Sequence, residues 1–139
     1  MNLDPGAGRP APRHSLTDVP RLITDYFVVQ PDAANALQRV QFGTSGHRGT
    51  SSDGSFNEDH VAAISQAVAD HRNAMGVKGP LFLGADTHAL STPAMATAVE
   101  VLTANGVHVI VAQGLAPVPT PVVSHAILTF EGAQGVKAD

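Results

Sequence analysis

Two short apolar runs with a helix between them constrain this chain most. Leu81-Phe82-Leu83-Gly84, bounded by Pro80 and Asp86, reads as a buried strand, and Val107 to Ala112 (VHVIVA) reads as a second one with β-branched emphasis. Between them, Ser91 has the chemistry of a helix cap and Pro93 suits a first turn. Met95, Ala98, Val99 and Leu102 fall on one face, and Asn105-Gly106 stops the helix. A strand, a crossover helix and a strand of these lengths make a parallel unit, for which the right-handed connection is the rule.

The flanking sequence extends the pattern. Residues 1–14 are rich in Gly, Pro and Ala, lack a periodic apolar face and read as a flexible arm; residues 15–139 read as the folded domain. Ser15 with Asp18, then Pro20, marks a helix running to about Val29, with Leu16, Leu22, Ile23, Tyr26 and Phe27 as its apolar face. Residues 31–38 read as a turn, and Val40-Gln41-Phe42 as an extended segment. Ser55 and Glu58 have capping-box spacing ahead of a helix to about Met75, with Val61, Ile64, Val68, His71 and Met75 along one face and Gly76 as its C-cap. Thr120-Pro121 opens another helix with Val122, Val123, Ala126 and Ile127 on its apolar side, and residues 131–139 are polar and turn-like.

The alternation predicts an α/β fold, three-layer α/β/α with a mostly parallel (mixed) sheet. A helix opening near Thr120 should be answered by a further strand, so the last strand of the domain is expected to be missing. Ligands of such sheets gather outside the carboxyl ends of the strands. The loops at 43–50, 85–91 and 113–120 occupy those ends and are expected to share a site.

The first of these loops is Phe42-Gly43-Thr44-Ser45-Gly46-His47-Arg48-Gly49. Its glycines can take positive φ, inward-turned backbone N–H groups make a concave anion site, and Arg48 adds a charged fork that matches phosphate oxygens. The same residues also suit a plain glycine-rich turn with a solvated arginine. Thr44, Ser45 and Gly46 either shape a binding loop or serve turn chemistry alone. His47 is either a hydrogen-bond donor and proton carrier or a structural histidine. Ser45 has no His–Asp pair visibly placed to activate it as a nucleophile.

Composition narrows the partners. The chain has 139 residues and no cysteine, so thiolate catalysis, disulfides and zinc–thiolate sites are excluded. A net charge of −4 argues against a general nucleic-acid surface while permitting one local basic site. No segment has the length of a membrane span, and the reading is a cytoplasmic protein. The seven histidines are scattered over different elements without a metal-ligand pair, so no metal site is expected in this chain.

Four motifs then occur in order: Phe42 to Gly49; Gly84-Ala85-Asp86-Thr87-His88-Ala89-Leu90-Ser91; Leu102-Thr103-Ala104-Asn105-Gly106-Val107; and Pro117-Val118-Pro119-Thr120-Pro121. Together they resemble the N-terminal domain of bacterial phosphoglucomutases, in the α-D-phosphohexomutase superfamily, from about Leu16 to the last residue. The resemblance implies a multi-domain enzyme several times this length. Such enzymes interconvert glucose 1-phosphate and glucose 6-phosphate through a phosphoserine and glucose 1,6-bisphosphate, with Mg2+ held by that phosphoserine and aspartates. It implies a catalytic place for Arg48 and His47 beside the phosphoserine, substrate contacts from Thr44, Ser45 and Gly46, and support of the serine loop by Asp86, Thr87 and His88. An Asp-held turn at a strand end explains Asp86 and Thr87 as well. His88 stands where many relatives carry Arg. The family's nucleophile lies in a Ser-His-Asn-Pro loop beyond a strand expected after Asp139, and the metal loop lies later still. The isolated chain is therefore expected to be inactive. The alternative is a non-catalytic phosphate-binding or interaction module derived from the same domain.

Overall fold

The computed structural model describes residues 4–132 and 135–139; the ends of the expected arm (1–3) and part of the expected polar tail (133–134) lie outside the described residues. Residues 4–18 are exposed and hold only turns and a one-turn 3-10 helix at Arg13–Ser15. Helix α1 spans Val19–Val28. Its cap is Asp18, whose carboxylate accepts from the Arg21 N–H at 3.1 Å, with Pro20 in the first turn. Ser15, the expected start, instead donates its hydroxyl to Pro12 O. Of the predicted apolar face, Tyr26 is fully buried and Leu22 and Ile23 pack on the core, whereas Leu16 and Phe27 are exposed.

After a one-turn helix at Ala36–Gln38, strands β1 (Phe42–Gly43) and β2 (Gly46–His47) form an antiparallel hairpin with Thr44-Ser45 at its tip. Helix α2 runs from Glu58 to Ala74. Asn57 caps it, rather than Ser55: His60 Nδ1 accepts from the Asn57 N–H at 3.1 Å, and the Asn57 side-chain amide donates to Asp25 O and Ser51 O. The Asn57 side chain therefore joins the α1 C-terminus to the start of α2. Strand β3 (Leu81–Leu83), helix α3 (Ser91–Ala104) and strand β4 (Val109–Val111) follow as the expected parallel unit, with Leu81 opposite Val109 and Leu83 opposite Val111. Helix α4 spans Thr120–Thr129 and lies against β3. Gly76 and Gly106, with φ of +68° and +75°, end α2 and α3 as read.

The core gathers Tyr26, Val61, Leu90 and Ala98, with Phe56 and Leu83 packed against it. On α2 the buried residues are His60, Val61, Ser65, Ala69 and Arg72. That stripe is rotated from the predicted one: Ile64 is half-buried, and Val68, His71 and Met75 are exposed.

The observed architecture is α/β with small sheets. Among the described residues the strands form two separate two-stranded sheets, one antiparallel and one parallel, in place of one mostly parallel sheet in a three-layer stack. What separates them is a groove of about 640 Å³, lined by Phe42 and His47 on one side and Leu81, Leu83 and Gly84 on the other, with Val61, Ile64 and Val68 of α2. Of the predicted α2 face, Ile64 and Val68 line this groove, whereas His71 and Met75 do not.

Candidate functional site

The hairpin is held from below by ring packing. His47 stacks on Phe56 (centroids 5.7 Å apart) and on His60 (5.0 Å). His60 is fixed at both nitrogens: Nδ1 accepts from the Asn57 N–H, and Nε2 lies 2.7 Å from Gln38 O, to which it donates. His47 Nδ1 sits 3.2 Å from both the N–H and the carbonyl oxygen of Gln41. Its Nε2 is buried and has no protein partner among the described residues. The His47 ring is packed between Phe56 and His60 and also lines the groove.

The loop's glycines divide by role. Only Gly46 takes positive φ, at +108°. Gly49 is required for close approach, since a Cβ there would overlap the backbone of Ser55. The expected amide nest is a hairpin instead, and strand pairing uses part of its amide edge. Thr44 and Ser45 are exposed at the tip and, with Arg48, line a small hollow of about 340 Å³.

The second loop is built on Asp86. Its Oδ1 accepts from the His88 N–H at 2.8 Å and from the Ser91 hydroxyl. His88 Nδ1 accepts from the Leu90 N–H at 3.1 Å. Ser91 was expected to cap α3; it latches Asp86 instead, and the helix opens without a side-chain cap. Thr87 is exposed on the turn.

Arg48 is exposed and has no carboxylate within ion-pair distance among the described residues. It nonetheless shares a cavity of about 370 Å³ with His47 and Gly49 from its own loop and Asp86, His88 and Ser91 from the second. Two of the three expected loops therefore meet. The third contributes Val118 and Thr120 to the adjoining groove, and Val118 N–H donates to Ala85 O at 2.8 Å. Phe56 and His60, which hold the loop in place, were missed as site residues. A phenylalanine just before the α2 cap and a histidine three residues past the capping Asn57 were the available signals. Among the described residues no group of three or more His, Asp or Glu converges, so these residues do not fit a Mg2+ site.

The Ser91 hydroxyl bond, and next the His88 N–H, hold the Asp86 carboxyl below the ordinary aspartate value. A depressed value means the latch is fully formed above the ordinary aspartate range and is lost as pH falls through the lower, folded value. A carboxyl titration by NMR is expected to place Asp86 below a free aspartate, and Ser91→Ala to move it back up. An unmoved midpoint in Ser91→Ala would show that the latch does not set the charge.

Residues 39–137 match the family profile described as phosphoglucomutase/phosphomannomutase, alpha/beta/alpha domain I. A phosphoglucomutase of Komagataeibacter xylinus is 52% identical over 129 residues, which is 93% of this chain and 23% of that protein. The chain thus spans less than a quarter of the length of that relative, and the matched residues include all four motifs that carried the resemblance. It belongs to the phosphoglucomutase/phosphomannomutase family, through its alpha/beta/alpha domain I.

Proposed function

We propose that residues 15–139 are the first domain of a phosphoglucomutase that interconverts glucose 1-phosphate and glucose 6-phosphate, with residues 1–14 as an arm. The observation that carries this reading is the shared cavity of Arg48 with Asp86, His88 and Ser91 at the mouth of an apolar groove. An exposed guanidinium with no carboxylate partner among the described residues can take an anion, and its planar fork suits phosphoryl oxygens. Thr44, Ser45 and Gly46 shape the hollow beside it, His47 fixes the hairpin, and Asp86 with Thr87 and His88 shapes the facing turn.

In this mechanism a phosphoserine from the remainder of the enzyme gives its phosphoryl group to a sugar hydroxyl. The P–O bond to serine breaks, a P–O bond to the sugar forms, and the hydroxyl proton passes to the serine oxygen. The glucose 1,6-bisphosphate so formed turns over and returns its other phosphate by the reverse step. Arg48 binds the charged oxygens as they redistribute. Mg2+ would supply further charge neutralisation from ligands elsewhere in the enzyme. The substrates on this reading are small sugar phosphates, and the reading takes the protein to be cytoplasmic. No helix among the described residues is long and apolar enough to cross a membrane.

The groove supports the same reading. Its walls include Leu81 and Leu83 of β3 and the Ile64–Val68 stripe of α2, apolar surfaces that a further strand of the enzyme would cover. The test compares the 139-residue chain with the full-length polypeptide that carries it, in a glucose 1-phosphate to glucose 6-phosphate assay. Turnover is expected only in the full-length protein. Turnover by the isolated chain would overturn the assignment of the missing groups. No turnover in the full-length protein would leave a non-catalytic phosphate-binding module.

A further inference from the structure

Arg72 is a buried charge that the mutase reading does not use. It stands in the last turn of α2 with its side chain 6% exposed, in the wall of an apolar cavity of about 470 Å³ with Val40, Phe42 and Val68. A guanidinium buried among such residues needs acceptors to offset its lost hydration. It has two: Gly79 O at 2.5 Å, in the turn leading to β3, and the carboxylate of Asp139. The Arg72 fork thus joins the end of α2, the entry to β3 and the segment at 137–139.

That segment is held on β3 by two further contacts. Asp139 N–H donates to Pro80 O at 3.1 Å, and Asp139 O accepts from Phe82 N–H at 2.9 Å. The two bonds together form a parallel bridge on the β3 edge opposite β4. Leu81 N–H points the other way, to His108 O at 2.9 Å. At Gly79 a Cβ would overlap the carbonyl oxygen of Lys137, so the segment lies directly on that residue.

We propose that Arg72 is a positioning residue. With Gly79 and Asp139 it clamps the polypeptide at the open edge of β3, so that chain following Asp139 runs parallel to β3 in one register, along the groove toward Asp86 and Arg48. The proposal rests on the reading above that a longer polypeptide completes this domain. Register matters because a slip of one residue turns every side chain of a strand to the opposite face, and because each residue moves the strand's end by roughly 3.3 Å. Reacting groups tolerate misplacement of only about 1 Å before rates fall by orders of magnitude.

Two measurements test it. In the 139-residue chain, hydrogen exchange at single amides compares Phe82, which Asp139 holds, with Leu81, which β4 holds. Arg72→Met is expected to speed Phe82 exchange by tenfold or more and Leu81 by less than threefold. Asp139→Asn, which leaves the buried Arg72–Gly79 bond intact and does not threaten folding, is expected to show the same split at smaller size. In the full-length protein, Arg72→Met is expected to lower kcat by tenfold or more with KM within threefold, and Arg72→Lys to recover part of the loss. Equal acceleration of both amides, or no acceleration of Phe82 in either variant, overturns the clamp. If the split is present but the wild-type full-length protein lacks mutase activity, the clamp stands and the mutase reading falls.

Discussion

Replacing Arg48 by alanine in the full-length enzyme is expected to lower kcat/KM by 10²-fold or more, about 2.7 kcal/mol of lost transition-state stabilisation. The expectation starts from what Arg48 does not do in the fold. It is exposed and makes no ion pair among the described residues, so its removal should leave the folded state as stable as before. Any loss of rate then belongs to the chemistry. The cavity it shares with Asp86, His88 and Ser91 leaves room for an anion between the two loops. There the exposed Asp86 carboxylate opposes an incoming phosphate, while Arg48 attracts it. Removing the cation leaves that repulsion unopposed. Arg48→Lys keeps the charge but loses the planar fork, and an intermediate loss of roughly tenfold is expected. Steady-state kinetics beside a thermal melt decide the matter. A loss under threefold would make Arg48 a solvated turn residue, and a lowered melting point would make it structural.

Much of the fold was legible because local signals agreed with burial. Pro93, the Met95–Ala98–Leu102 stripe and Asn105-Gly106 fix α3 from inside the segment, and β3 and β4 pair as the βαβ rule requires. The caps were less legible, because several residues satisfy the same spacing. Ser55 with Glu58 and Asn57 with His60 are both acceptable starts for α2. The second pair prevails through contacts distant in sequence: Asn57 reaches Asp25 O, and His60 reaches Gln38 O. Ser91 poses the same ambiguity, since a serine at a helix start can cap the helix or bond backward, and only the position of Asp86 decides it.

The α2 stripe failed for a different reason. Periodicity reports which face is apolar and not whether anything in the chain covers it. Ile64 and Val68 were read correctly as one face, yet they line an open groove. The α/β class was legible, but among the described residues β1 pairs with β2 and not with β3, so one continuous parallel sheet is not seen. Arg48 and Asp86 line one cavity although their loops belong to two separate sheets, so strand-end topology alone does not account for their placement. The stack of His47 on Phe56 and His60 did not follow from it. It depends on side-chain packing across three segments, which no single window of sequence contains.

Tyr26→Ala is expected to be the most destabilising single substitution considered, at about 3–5 kcal/mol, as for other large aromatic residues truncated in a core. Tyr26 is the largest fully buried side chain among the described residues. Its ring meets Phe27 edge-on at 4.9 Å and lies 6.4 Å from Phe56. Its hydroxyl donates to Thr97 Oγ1 at 3.0 Å, and Thr97 in turn donates to Pro93 O, so α1 is tied to the first turns of α3. Burial, with a smaller contribution from Glu58, pushes the phenol above its ordinary value, which keeps it a donor throughout the working pH range. Tyr26→Phe separates the two contributions: it keeps the packing and loses one hydrogen bond, and should cost only about 1 kcal/mol. The larger loss is a substantial share of the roughly 5–15 kcal/mol that a native domain has in hand. It would also reach the site, because Phe56 touches the Tyr26 ring on one side and supports His47 on the other. Denaturant titration of both variants, followed by near-ultraviolet circular dichroism, measures the effect. A change below 1 kcal/mol in Tyr26→Ala would mean that α1 is an appendage, and that the hairpin bearing Arg48 takes its rigidity from α2 alone.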